Sequence, residues 1–244
     1  LTDNATGRRI TGENGVYSLV PGGSYTYMVT RSGYQGIREE TYTAPEADTV
    51  LTLRLTAAPE STLPDYTAQW PSFRGDDQNN GVIDARTPVS SENTVLYWAT
   101  QLGSGYSSDA CGCPILVDGY LYVYAQNWLY KVDTVSGEIV ARGQMDHASS
   151  FGINTPTYAD GMIFVGLSDG TVQAFNADTL ESLWIYRDAR KGQPNCPIVY
   201  HDGYIYTGFW LGETMEANYV CLSVTDEDPA NAKEEKLPTW TYTS

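Results

Sequence analysis

The sequence predicts an all-β fold, and three observations carry that expectation. Short runs of alternating apolar and polar residues recur along the chain, bounded by Gly, Pro, Asn or Asp. The 244 residues include 23 Gly, 19 Tyr and 6 Trp, a make-up that favours strands joined by tight turns. No stretch carries the 3.6-residue apolar period of an amphipathic helix. The 30 acidic residues against 14 Lys and Arg give a formal charge of −16, which argues against a nucleic-acid partner. Hydrophobic residues at 41% suit a folded chain, and no apolar run reaches the ~20 residues of a membrane span.

Residues 1–58 form one block. Two alternating runs, 15–20 and 24–29, flank Pro21-Gly22-Gly23 and read as a hairpin. A third run, 49–55, reads as a half-buried strand. Thr6-Gly7, Thr11, Gly15, Tyr17, Leu19, Pro21-Gly22, Tyr25 and Gly33-Tyr34 follow a recognisable order. In that order the block resembles carboxypeptidase-regulatory-like domains of transthyretin type. The resemblance implies a small β-sandwich, lacking here the strand that precedes the Thr-Gly turn. Residues 59–69, with two prolines and little apolar content, read as a linker.

Residues 70–244 repeat. Pro114, Pro156 and Pro197 each open a unit in which an apolar run, an Asp-Gly pair and an aromatic run follow, at spacings of 42 and 41. Trp98, Ala141, Trp184 and Trp240 mark the ends of successive units. Asp-Gly between apolar runs is a two-residue hairpin signal. Four short strands in about forty residues is the length of a β-propeller blade. About three blades are expected, with the strand at 95–98 completing another. Three blades do not close a ring, so the expectation is a fragment, or a ring completed by another chain or by residues outside this sequence.

The units resemble the PQQ-like propeller repeats of quinoprotein alcohol dehydrogenases and of the outer-membrane assembly lipoprotein. The family core D-x-x-x-G-x-x-x-W appears as Asp133, Gly137 and Ala141, then as Asn176, Leu180 and Trp184. The segment from Trp70 to Gly81 looks like the lead-in of non-enzymatic members. Enzymatic members bind PQQ on the ring axis with an Asp base, Ca²⁺ and often a vicinal Cys pair. Here Cys111-Gly112-Cys113 is not vicinal and no Asp matches the base in context, so neither PQQ nor Ca²⁺ is expected.

The remaining chemistry is sparse. Cys111, Cys113, Cys196 and Cys221 offer only one close pair, and His147 and His201 lie far from it, which is poor zinc spacing. They read as small buried hydrophobes on inner strands, with a disulfide or a metal as the alternatives. Arg74-Gly75-Asp76 and the polar run 76–81 read as turn chemistry rather than as an adhesion or Ca²⁺ motif. Asp109, Asn154 and Asn195 fall where inner strands begin and are the candidate ligand contacts at the channel mouth; the plainer reading is that they brace loop backbone. Trp128 and Trp210 fall near loops and suit stacking on a sugar or peptide. The combined expectation is a non-catalytic exported scaffold or binding module for protein or glycan, extracellular or at the bacterial cell envelope. The alternative is a diverged PQQ-dependent dehydrogenase.

Overall fold

The computed structural model describes residues 1–76, 78–86, 90–103, 112–148 and 154–244. Its described residues contain 17 strands, in chain order β1 to β17, and one short 3₁₀ turn at Ser91–Asn93. The N-terminal sheet has the order β1 (Thr2–Asp3), β2 (Ser24–Val29), β3 (Ile37–Thr43). Next comes β4 (Ala68–Trp70). The first blade is β5 (Ile115–Val117), β6 (Tyr120–Ala125), β7 (Trp128–Asp133) and β8 (Ile139–Gln144). The second is β9 (Thr157–Ala159), β10 (Met162–Leu167), β11 (Thr171–Asn176) and β12 (Ser182–Arg187). The third is β13 (Val199–His201), β14 (Tyr204–Gly208), β15 (Asn218–Ser223) and β17 (Pro238–Thr243), with β16 (Glu234–Glu235) in its long insertion. Each blade is an antiparallel meander. This is the propeller-type arrangement that the repeat predicts.

The repeat residues explain the repeat geometry. Asp118, Asp160 and Asp202 have φ of 49°, 51° and 47°, and the following glycines have 79°, 76° and 77°. Two successive positive φ values define the tight hairpin turn that matches strand twist, and Asp-Gly supplies them at least strain. The degenerate core motif has the same logic. Asp133 Oδ1 accepts the N–H groups of Val135 and Ser136, and Asn176 Oδ1 those of Asp178 and Thr179. Ser223 Oγ accepts the N–H of Thr225 in the third blade. Asp, Asn and Ser thus perform one turn-capping role. Gly137 and Leu180 then adopt φ of 74° and 59°, so Leu180 pays backbone strain that glycine avoids.

Every blade carries a register shift at one equivalent place, opposite the unit-ending residue. Lys131 faces Ala141, Ala174 faces Trp184 and Cys221 faces Trp240. Across each pair a long or bulky side chain meets a small one. Blades one and two pack through Tyr122, Tyr124, Leu129, Phe175 and neighbours, and blades two and three through Phe164, Trp184, Ile205, Val220 and neighbours. The fully buried Trp184 donates its indole N–H to the carbonyl of Val224 at 3.3 Å. Where Ala141 replaces the Trp, Tyr122 supplies the donor, its hydroxyl reaching Ala177 O at 2.7 Å.

Several expectations are corrected. Residues 15–20 form no strand; β2 pairs with β3 instead, which begins after the Gly33 turn. Residues 49–55 form no strand either, and Val16, Val20 and Val50 are 71%, 70% and 87% exposed. The apolar alternation there has no described sheet to pair with, so residues 1–58 present one three-stranded layer. Residues 95–97 lie exposed and have no strand partner among the described residues, while Trp98 and Leu102 pack on the outer face of the first blade. The segment read as a linker is tied down: Tyr66 N–H donates to the Tyr158 hydroxyl at 2.6 Å, and Leu63 and Pro64 lie against Gly161. Beyond it, β4 pairs with β5, placing Trp70 at the inner edge of the first blade.

Candidate functional site

Each innermost strand begins beside the hairpin joining the second and third strands, because Ile115, Thr157 and Val199 pair with Tyr122, Phe164 and Tyr206. Asn154, Asn195, Trp128 and Trp210 therefore lie at the same end of their blades. Asp109 and Cys111 lie outside the described residues.

Asn154 is buried, and its polar groups are committed. Its Oδ1 accepts Thr155 N–H at 2.8 Å, its Nδ2 donates to Cys196 O at 3.4 Å, and its carbonyl accepts the Tyr124 hydroxyl at 2.5 Å. Gly166 makes room for it: a β-carbon there would lie 2.5 Å from Asn154 Nδ2. Asn154 braces the blades, the plainer of its two readings.

The loops that carry Asn195 and Trp210 are joined to each other. Asn195 is exposed on the loop 188–196, and Trp210, 42% exposed, sits on the loop after β14. The loops are laced by paired backbone bonds between Gln193 and Trp210 at 2.7 and 2.8 Å and by an Arg190–Glu216 ion pair at 2.9 Å. Buried Asp188 anchors the base, accepting from Tyr186 Oη, Asn218 Nδ2 and Arg190 N at 3.1, 2.8 and 2.9 Å. Burial, then the Asp188 charge, pushes the Tyr186 hydroxyl well above its ordinary range, so it remains a donor.

Trp128 does not join them. It is half-buried on the outer face of the first blade with Tyr130 and Val132, and the Arg142 guanidinium stacks over its ring at 4.6 Å. Alternation in β7 turns Trp128 away from the inter-blade core, and Arg142 is its cross-strand neighbour's neighbour.

The sequence does not foretell two further clusters. A cavity of about 190 Å³ lies where the lead-in meets the inner strands, lined by Pro71, Phe73, Asp76, Tyr158, Pro197 and Tyr200 among others. Burial pushes the Tyr158 and Tyr200 hydroxyls up to about 12, so both stay protonated there. Asp146 binds His147 Nδ1 at 3.2 Å and Arg187 at 3.0 Å. Only contact across the blade boundary assembles these groups, and no short motif encodes it.

Cys221 is buried, Cys196 half-buried and Cys113 exposed, all as free thiols. Cys113 thus departs from the reading of the cysteines as small buried residues. Burial pushes the Cys196 and Cys221 thiols up, disfavouring the thiolates that nucleophilic or metal chemistry needs. Among the described residues, no three His, Cys, Asp or Glu side chains are placed to hold a metal ion. Asp76 Oδ1 accepts Gln78 N–H at 3.0 Å, the turn chemistry expected of that run.

A family model described as outer membrane protein assembly factor BamB matches residues 80–214. No curated protein sequence matches the chain. Among solved structures, a europium-containing methanol dehydrogenase aligns over 72% of this chain with a TM-score of 0.53 and 16% identity. The quinohemoprotein alcohol dehydrogenase from Comamonas testosteroni aligns over 72% with a TM-score of 0.50 and 17% identity. The chain covers 32% and 27% of those two proteins, and at such identity the likeness is one of fold.

Proposed function

The chain belongs to the family described as outer membrane protein assembly factor BamB, and from that premise we propose that it is a non-catalytic, protein-binding scaffold of the bacterial cell envelope. In this reading residues 1–58 are a small separate β module, 59–69 a connecting segment and 70–244 an incomplete ring of blades, completed by another chain or by residues outside this sequence. The family's description names an assembly factor, which supports a protein partner over a glycan.

One observation carries the reading. Exposed Trp210 and Asn195 stand on two loops laced to each other and anchored on buried Asp188, so an aromatic contact is held in place before any partner arrives. Such preorganisation lowers the ordering cost of binding, and an aromatic face supplies contact area at small entropic cost. The polar atoms of Asn154, at the same end, are spent on holding the blades together.

The rival reading, a diverged PQQ-dependent dehydrogenase, draws on the fold alone. A dye-linked alcohol oxidation assay with added PQQ and Ca²⁺ separates the two. The scaffold reading expects no turnover above the protein-free rate. Turnover that is lost when a residue at the channel mouth such as Asn195 is replaced by Ala overturns it.

A further inference from the structure

The N-terminal sheet is held to the third blade by the segment 30–38. Thr30 Oγ1 meets Thr239 Oγ1 at 3.0 Å, Ser32 N–H donates to Tyr204 Oη at 3.0 Å, and Gly33 N–H donates to Thr225 Oγ1 at 2.8 Å. Gly36 N–H donates to Glu227 Oε2 at 2.7 Å, and Arg38 reaches the carbonyl of Glu235 at 2.6 Å. Beneath these contacts lies the insertion 226–236. It also runs back to the second blade, where β16 pairs in parallel with β12 and Lys236 N–H donates to Ile185 O.

The insertion buries an unusual concentration of charge. Lys236 and Glu234 are 2% and 4% exposed. Lys236 Nζ bonds Thr225 O and Glu227 Oε1, and lies 5.4 Å above the Trp184 ring. Glu234 Oε2 accepts the N–H groups of Glu227 and Asp228 at 3.1 and 2.8 Å. Two buried oxygens are left with no donor: Asp226 Oδ1 and Glu234 Oε1. The guanidinium of Arg38 stays 3.8 Å from Glu234 Oε1 and is itself 45% exposed.

We propose that Asp226 and Glu234 share one proton, and that this proton holds the N-terminal sheet on the third blade. Asp226 and Glu234 are in side-chain contact, so a single hydrogen between them satisfies both carboxyls, the oxygen that carries it acting as donor and the facing oxygen as acceptor. The charges facing the pair are Lys236, Arg38, Glu227 and Asp228. Within the insertion Lys236 is the buried cation facing the carboxylates of Asp226, Glu227 and Glu234, while Asp228 is exposed, and a proton restores the balance where a second buried anion is unsupported. Burial, the largest influence, raises both carboxyls above their ordinary range, and Lys236 only partly opposes it. The proton is therefore bound more tightly when the insertion is docked. Docking is full below the ordinary carboxylate range and weakens as pH rises through the raised value.

Hydrogen exchange of the full chain reads the latch at the amides of Ser32, Gly33 and Gly36, each of which donates to the third blade. After correction for intrinsic exchange, their protection falls up to about tenfold per pH unit above the pair's titration, the limit for one linked proton. In Asp226→Asn the amide N–H is a permanent donor to Glu234, so that slope disappears; Glu234→Gln does the same from the other side. Wild-type protection that does not vary with pH overturns the proposal. So does an Asp226→Asn variant with the wild-type slope. Wild-type protection that rises on adding Ca²⁺ alone also overturns it, because the orphaned oxygens would then serve a cation.

Discussion

The indole N–H of Trp98 donates to the carbonyl of Thr134 at 2.9 Å, repeating the bond that Trp184 makes to Val224 at 3.3 Å. Thr134 and Val224 occupy the same place, one residue beyond the third strand of their blades. Trp98 thus docks on the first blade as the end of a preceding blade would, although residues 95–97 lie exposed and without a strand partner among the described residues. A β-carbon on Gly137 would lie 2.5 Å from the indole. Trp98→Phe is expected to cost about 0.5–1.5 kcal/mol in urea unfolding, through the lost hydrogen bond. Gly137→Ala is expected to cost more, because it adds positive-φ strain to the collision. Equal stability of Trp98→Phe and wild type contradicts the docking role.

Lys131 stands opposite Ala141, where Ala174 stands opposite Trp184. Its ammonium lies 4.6 Å from the Tyr120 ring and 3.1 Å from Asp178 Oδ1. Ala141→Trp alone overfills this site and is expected to destabilise by about 1–3 kcal/mol. Adding Lys131→Ala recreates the pairing of the second blade and recovers part of that loss. A double-mutant cycle of denaturant midpoints checks the coupling, and strict additivity contradicts it.

Leu180 is fully buried at φ 59°. Leu180→Gly relieves the backbone but removes a packed side chain. The packing loss dominates, so a net destabilisation of about 2–4 kcal/mol is expected in thermal or urea unfolding. A stabilised variant contradicts the ranking.

The Asp146 carboxyl is held below its ordinary value. Burial alone would raise it, but hydrogen bonds from His147 and Arg187 and their charges outweigh burial. A depressed carboxyl contributes stability above its unfolded value, and that contribution is lost as pH falls through the folded one. Asp146→Asn is therefore expected to shallow the acid limb of the melting-temperature profile, below the ordinary carboxylate range. An unchanged acid limb contradicts the assignment.

Much of the blade architecture was legible because it is local. Asp-Gly turns and aromatic strands of five or six residues repeat the same backbone demands every forty-odd residues. The core motif looked degenerate by letter, yet Asp133, Asn176 and Ser223 do the same capping. The N-terminal block was less legible. Alternation at 15–20 and 49–55 resembles a half-buried strand, but alternation alone does not supply the partner that a strand needs. The β3 run, Ile37–Thr43, is polar enough to hide, since only its pairing with β2 makes it a strand. At the candidate site, residue type placed Asn154, Asn195 and Trp210 at one end. It did not tell the buried brace from the exposed contact, a distinction set by Gly166 and the Gln193–Trp210 ladder.

The scaffold reading rests on the braced rim around Trp210. Site-specific photo-crosslinking from position 195 in living cells tests it most directly. The account predicts a crosslink to one defined envelope protein that disappears in Trp210→Ala while the variant's melting temperature is unchanged. No crosslink at that position, or a crosslink untouched by Trp210→Ala, contradicts it.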